Sequence, residues 1–139
     1  MQKIVVIETR ELDLFYYEDK KILHHVLHRY PGVTKMEQAL EAGLEVLNDR
    51  RAQKWLSDNR NGAAWPKSHH EWAETSWGPR AAKAGWRYWA LIPPTELLGQ
   101  QSMLRMVKIY GALGVTVRVF ERVDEGLGWL ANAPEVSSP

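Results

Sequence analysis

Alternating apolar and polar positions open the chain. Residues 12–17 and 22–30 are rich in β-branched and aromatic side chains, and a polar run at residues 18–21 separates them. Two such segments joined by a short polar turn are typical of a β-hairpin. Residues 1–9 add a candidate edge strand beside this hairpin.

The spacing then changes to that of a helix. Over residues 34–49 apolar side chains recur at intervals of three or four, which places them on one helical face. Thr34 and Glu37 form a capping box, in which each side chain binds a free backbone N–H at the helix start. The sequence therefore predicts a helix that begins at Thr34.

Strand and helix alternate over the rest of the chain. A short strand at residues 54–57 ends at Asp58, and Ser68 with Glu71 forms a second capping box that begins a helix. Gly78-Pro79 is expected to kink or restart this helix, because proline lacks an N–H and clashes one turn back. The remaining predicted elements are, in order, a strand at residues 86–92, a helix from Thr95, a strand at 115–120 and a helix capped by Asp124.

This order predicts one α/β domain. Strand–helix–strand units of this length cross over right-handed and make their strands parallel, whereas the hairpin adds an antiparallel pair. We expect a mixed, mostly parallel sheet of four to five strands, with an N-terminal hairpin and about four helices, over residues 1–132. Residues 133–139 are rich in proline and serine and are expected to form a flexible tail.

Composition narrows the kind of protein. The 139 residues are 45% hydrophobic, enough for one core, and lack cysteine, which excludes thiol catalysis and Cys–zinc sites. The net charge of +1 offers no basic surface for nucleic acid or an anionic membrane. No apolar run approaches the ~20 residues that span a bilayer. We therefore expect a cytoplasmic protein without a nucleic-acid partner or a membrane span.

Several local stretches resemble the STAS domain, the fold of bacterial anti-sigma-factor antagonists, and more closely its SpoIIAA-like branch. The stretches, spread over residues 12–130, are Gln38-Ala39-Leu40, Lys54-Trp55-Leu56-Ser57-Asp58, Glu71-Trp72, Gly85, Val119-Phe120 and Leu127-Gly128-Trp129-Leu130. The resemblance implies a regulatory or binding module that recognises a partner protein and has no reaction or cofactor of its own. The same architecture also resembles lipid-binding domains of the CRAL-TRIO type, which implies a small apolar ligand.

Ser68 is the candidate modification site. Some STAS domains are switched by phosphorylation of a Ser or Thr at a helix start, just after a strand that ends in Asp. Here Asp58 ends a strand, but residues 59–67 separate it from Ser68, which departs from that pattern. A phosphate at a helix N-terminus would meet free N–H groups. Ser68 is therefore either a phosphorylation switch or a plain helix cap.

Tryptophan is the unusual feature of the composition, with seven copies in the chain. Trp72 and Trp77 are expected to leave a helix on different faces, and Trp86 and Trp89 to leave a strand on opposite faces. One member of each pair then lies outside the main core. Together with Trp65, these side chains either complete the packing of helices on the sheet or line an aromatic cleft for a ligand.

The carboxyl ends of the parallel strands are the expected location of such a cleft, because ligands of open α/β sheets bind there. Asp58, Asn59 and Arg60 follow one of these strands. The Arg60 guanidinium suits a carboxylate or a phosphate, and its alternative role is that of a solvated loop residue. These three residues, with Trp65, Trp72 and Trp77, are the candidate binding residues for a protein partner or a small apolar ligand.

Signals for metal binding and catalysis are weak in this sequence. His24 and His28 lie too far apart along a strand to share one ion, so no metal site is expected. The chain lacks a nucleophile elbow, a phosphate-binding loop and a dinucleotide fingerprint. An enzyme that uses Asp58, Arg60 and His69 or His70 is the remaining alternative. A homodimer through the hairpin edge is a further hypothesis.

Overall fold

One six-stranded mixed sheet organises the protein in the computed structural model, which describes residues 2–137. The strands lie side by side in chain order. They are β1 (Lys3–Glu8), β2 (Leu12–Tyr17), β3 (Ile22–Leu27), β4 (Lys54–Asp58), β5 (Tyr88–Ile92) and β6 (Thr116–Val119). Strands β1 to β3 form an antiparallel meander, and β3 to β6 are parallel. The predicted α/β class and the N-terminal hairpin are confirmed.

The number of strands differs from the prediction of four to five. The candidate edge strand forms as β1 and pairs with β2, so β1 and not the hairpin provides that edge of the sheet. With β1 included, three strand pairs are parallel and two are antiparallel. The sheet is therefore less strongly parallel than expected.

The helices alternate with the parallel strands, as predicted. They are α1 (Val33–Arg50), α2 (Lys67–Trp72), a π-helical segment (Ala73–Trp77), α3 (Gly78–Ala84), α4 (Leu97–Ala112) and α5 (Val123–Asn132). The segment from α2 to α3 is continuous, which gives four helical segments in all. Pro79 lies at the start of α3 inside this continuous segment, and the wider π-helical turn directly precedes it, which indicates how the helix accommodates a residue without an N–H.

The predicted helix caps are wrong. Helix α1 follows Gly32 and α2 follows Pro66, and neither Thr34 nor Ser68 caps a helix through its side chain. Pro66 has a φ of −60°, so the backbone itself sets the start of α2 one residue before Ser68. Asp124 lies inside the first turn of α5 and not at its cap. The two capping boxes were correct about the existence of the helices but not about how they begin.

The two faces of the sheet are covered unequally. We call the face under α1, α2, α3 and α4 the broad face and the face under α5 the narrow face. The broad-face core is large and contains Trp55, Trp77, Trp86 and Trp89. The narrow-face core is small; its buried members are Tyr17, Ile22, Leu56, Ala90, Ile92 and Leu130.

The structure places the two tryptophan pairs of the sequence analysis on the broad-face side of the sheet. Trp77 is buried in the broad-face core, and Trp72 is half-buried against the same core. The expectation that Trp86 and Trp89 point to opposite faces is wrong. Trp86 lies in the loop before β5, where strand alternation does not apply, and its ring packs against Trp89 at 5.7 Å between centroids.

The segment after α5 contacts the sheet through hydrogen bonds. The Tyr88 hydroxyl donates to the Pro134 carbonyl at 2.7 Å, and the Gln53 side chain exchanges two hydrogen bonds with the Val136 backbone. The last two residues of the predicted tail, 138 and 139, lie outside the described residues. Within residues 2–137, no helix has the length and apolar character needed to cross a membrane.

Candidate functional site

A small cavity lies between the helices and the broad face, near the carboxyl ends of β3 and β4. Its free volume is about 20 Å³, which is room for one water molecule. The wall is mostly aromatic; the rings belong to Trp55, Trp65, Trp77, Trp86, Trp89 and Tyr110. Met36, Met103 and Met106 fill much of the remaining wall.

The aromatic wall is held in fixed positions. Trp77, Trp86 and Tyr110 pack edge to face, with ring centroids 4.9 to 5.7 Å apart. Both indoles also donate to backbone carbonyls, Trp77 to Leu40 at 2.8 Å and Trp86 to Tyr88 at 3.1 Å. Buried aromatic rings that satisfy both their packing and their N–H groups form a rigid surface.

Three polar side chains converge at one end of the cavity. His25 and Ser57 are register partners on β3 and β4, so they point to the same face, and Asn59 follows at the end of β4. The Trp55 indole N–H donates to His25 Nδ1 at 3.0 Å, and His25 Nε2 lies 2.8 Å from Asn59 Oδ1. Burial lowers the pKa of His25, which keeps its ring neutral.

Ser57 and Asn59 make further contacts around this end. The Trp89 indole N–H donates to Ser57 Oγ at 2.8 Å. Ser57 Oγ also lies 3.5 Å from His25 Nδ1, at the limit of a hydrogen bond. The Asn59 amide nitrogen contacts Met103 Sδ at 3.8 Å, and thioether sulfur is a weak acceptor.

The loop between β4 and α2 covers the cavity. Trp65, in this loop, is half-buried, and its backbone N–H donates to Ser102 Oγ on α4 at 2.9 Å. The same oxygen lies 2.9 Å from His70 Nε2, and His70 Nδ1 lies 3.0 Å from Met106 Sδ. A single serine of α4 therefore fixes both the loop and the start of the next helix.

His69 lies beneath Trp65. The two rings stack at 3.8 Å between centroids, and the Trp72 ring meets His69 edge-on at 5.6 Å. His69 is fully buried, and neither of its ring nitrogens has a hydrogen-bond partner among the described residues. This burial lowers the pKa of His69 to about 4, so the ring is neutral near pH 7.

The structure separates the candidate residues taken from the sequence. Asn59, Trp65 and Trp77 line the cavity together. Asp58 alternates with Ser57 along β4 and so points to the narrow face, where Arg60 binds it with Nε and Nη2 at 2.9 and 2.7 Å. The Arg60 hydrogen bonds lower the pKa of the Asp58 carboxyl against the opposing effect of burial.

Two other candidates lie outside the cavity. Trp72 borders an open groove beside α1, lined also by Glu37, Glu41 and Glu45. Ser68 is exposed on the first turn of α2.

Sequence reasoning missed His25 and Ser57. The signal that could have found them is strand parity: Ser57 lies two residues after Trp55 and therefore shares its face.

The structure does not bring together the side chains of the alternative enzyme site, which consisted of Asp58, Arg60 and a histidine of α2. Asp58 and Arg60 lie on the narrow face, while His70 packs against Ser102 and Met106 beneath the broad-face helices. That set of side chains does not converge. Over the described part of the chain, no cluster of three or more His, Asp or Glu side chains is arranged to hold a metal ion.

Comparison with known proteins adds no relative to this picture. Neither protein-family models nor searches of curated proteins and of solved structures give a match to the chain.

Proposed function

We propose that the protein is a non-catalytic binding module that takes a small apolar ligand in the broad-face cavity. The observation that supports this most is the combination, in one cavity, of a rigid aromatic wall and three convergent polar side chains. Ligand sites in proteins are mostly apolar, with a few placed polar groups that orient the ligand. The STAS-like and CRAL-TRIO-like element order of the sequence agrees with a binding role.

The cavity must widen to accept more than one water molecule, and the part of its wall outside the rigid cluster of Trp77, Trp86 and Tyr110 would allow this. Met36, Met103 and Met106 have flexible side chains that adapt to different shapes. Trp65 is half-buried on an irregular loop, and its backbone is bound to α4 through the Ser102 hydroxyl. Displacement of Trp65 and of one methionine would open the cavity from the side of the β4–α2 loop.

Toluene is a suitable first probe, and the indole N–H signals in a two-dimensional NMR spectrum give the readout. Added toluene is expected to shift the signals of Trp55 and Trp89, which line the cavity, and to leave that of Trp129 on α5 unchanged. Absence of any shift at the two cavity indoles, up to the solubility limit of toluene, would overturn the proposal.

A pair of matched variants locates the binding. Met36→Phe adds a ring to the cavity wall, where Met36 is only 2% exposed, and is expected to weaken toluene binding at least tenfold. Leu104→Phe makes a similar enlargement on the outer surface of α4, where Leu104 is 63% exposed, and should leave binding unchanged. Equal effects of the two variants would contradict a site in the cavity.

A protein partner is the second proposed role, and α4 carries the observation that favours it. Leu97, Leu98 and Leu104 are all more than half exposed on this helix. Exposed apolar side chains that lie together on a protein surface often mark a site where another protein binds.

The phosphorylation hypothesis retains Ser68 as its site, because the Ser68 side chain is exposed and a kinase could reach it. Mass spectrometry of protein from its native host tests whether Ser68 is phosphorylated.

A further inference from the structure

The hydrogen bonds at the polar end of the cavity have a fixed direction. An indole N–H can only donate, so Trp55 makes His25 Nδ1 an acceptor. The neutral ring of His25 then carries its proton on Nε2 and donates it to Asn59 Oδ1. The amide nitrogen of Asn59 is thereby placed away from His25, with its two hydrogens directed elsewhere.

Two donors at this end lack a strong acceptor. The Ser57 hydroxyl accepts from Trp89, but for its own proton the neighbouring acceptor is His25 Nδ1 at 3.5 Å, whose single lone pair already binds Trp55 at 3.0 Å. Within residues 2–137, the one acceptor near the Asn59 amide nitrogen is the Met103 sulfur at 3.8 Å. Buried donors without acceptors are rarer and less favourable than oxygens with a spare lone pair. This end of the cavity is therefore suited to receive an acceptor.

The acceptor must also be uncharged. The residues that line the cavity include no lysine, arginine or carboxylate, and His25 is neutral. An anion placed there would lose its hydration without meeting a positive charge, which is strongly unfavourable.

We propose that the ligand is a neutral aromatic or apolar molecule whose carbonyl-type oxygen accepts hydrogen bonds from the Ser57 hydroxyl and the Asn59 amide, with its apolar part against the tryptophan wall. This inference rests on the proposed ligand-binding function. The cavity has room for one water molecule, and a water placed there would accept from the same donors. A ligand that displaces such a water without an acceptor of its own leaves both donors unpaired, whereas a carbonyl oxygen replaces it.

Acetophenone and α-methylstyrene test this choice on the unmodified protein. The two molecules have nearly the same shape and differ in a C=O against a C=CH₂ group. Acetophenone is expected to bind about tenfold tighter, since unpaired buried donors typically cost that factor or more. The dissociation constants come from titrations that follow the Trp55 and Trp89 indole N–H signals.

Two variants then test whether the preference for acetophenone over α-methylstyrene comes from the Ser57 hydroxyl. Ser57→Cys replaces the hydroxyl with a thiol, which is a weak donor but can still accept from the Trp89 indole N–H, and is expected to reduce the acetophenone preference to about threefold or less. Ser76→Ala removes a hydroxyl that binds Arg80 outside the cavity, and should leave the preference at its full value. The comparison of the two ligands on the unmodified protein remains decisive if Ser57→Cys does not fold.

The possible outcomes separate the two proposals. Failure of both molecules to bind would overturn the proposed ligand-binding function itself. Equal binding of both would leave that function standing and overturn the acceptor inference. Tighter binding of α-methylstyrene would do the same, because it would show that the polar end disfavours an oxygen.

Discussion

The broad and narrow faces of the sheet use neighbouring residues of the same strands in different ways. On β3, His25 points to the broad face and His24 to the narrow face; on β4, Ser57 and Asp58 divide in the same manner. The broad-face pair joins a buried network of tryptophan and amide donors. The narrow-face pair lies where only α5 provides cover, and Asp58 there binds an arginine whose side chain is 50% exposed.

The difference shows that the helices packed over a face of the sheet determine which hydrogen-bond partners its polar side chains have. Under α1, α2 and α4, the polar side chains are held among aromatic rings beside the cavity, and the hydrogen bonds of His25 have one direction. On the narrow face, His24 Nδ1 meets the Tyr17 hydroxyl at 2.9 Å, but His24 Nε2 is buried with no partner among the described residues. The polar side chains therefore converge on a cavity at the broad face, which is where we propose that the ligand binds.

Two helical glycines, one against the broad-face core and one on the outer surface of α5, test how closely α1 packs on the sheet, and this comparison should give the largest effect. A Cβ atom on Gly43 of α1 would lie 2.7 Å from Cζ3 of Trp55, which is too close for any carbon contact. Gly43→Ala is therefore expected to lower the free energy of unfolding by about 3 kcal/mol, as overpacking of a tight core does. Urea unfolding followed by far-UV circular dichroism measures the change.

Gly128→Ala on α5 is the matched control. A Cβ at Gly128 meets no atom within 4 Å, so the substitution gains only the helix propensity of alanine, about 0.5 to 1 kcal/mol. The two substitutions should therefore act in opposite directions. A stabilising Gly43→Ala would show that α1 does not pack closely on Trp55.

The adjacent histidines of β3 test the polar network. His25→Leu leaves the Trp55 N–H and the Asn59 carbonyl oxygen without partners, which is expected to cost about 2 to 3 kcal/mol. His24→Leu loses one bond to the Tyr17 hydroxyl but also removes an unpartnered nitrogen, so its net cost should stay within about 1 kcal/mol. Equal costs in urea unfolding would contradict the difference between the faces.

The sequence predicted the order of elements well, because hydrophobic spacing reports which face of each element is buried. The α/β class, the hairpin and the helices after β3, β4, β5 and β6 all came from that spacing. The helix starts did not, since at Gly32 and Pro66 the backbone conformation sets the start and no side chain caps it. Trp86 was placed on the wrong face because it belongs to a loop whose course local spacing does not encode.

The candidate site was predictable only in part for a related reason. Asn59, Trp65 and Trp77 could be proposed from residue type and from their place after a strand. His25 and Ser57 come from separate parts of the chain and meet only through the register of β3 on β4. Asp58 follows Ser57 on the same strand and therefore points to the opposite face, so Asp58 and its partner Arg60 lie outside this cavity.

Acid should destabilise the protein because its buried histidines become protonated on unfolding. Replacing His24 alone tests this and should give the smallest of the predicted effects. Burial lowers the pKa of His24 and of His69 to about 4, against an ordinary value of 6.5. Between these two values the unfolded chain binds more protons than the folded one, so the free energy of unfolding falls as the pH is lowered through this window. Each such histidine contributes up to about 1.4 kcal/mol per pH unit.

His24→Leu removes one of these titratable groups. The slope of the free energy of unfolding against pH is therefore expected to fall by up to about 1.4 kcal/mol per pH unit between pH 6.5 and 4. Urea unfolding at a series of pH values measures the slope for both proteins. The exposed His28, changed to Gln, serves as the control outside the core. An unchanged slope in His24→Leu would mean that His24 takes up its proton in the folded protein, and the narrow face would then be open to water at that position.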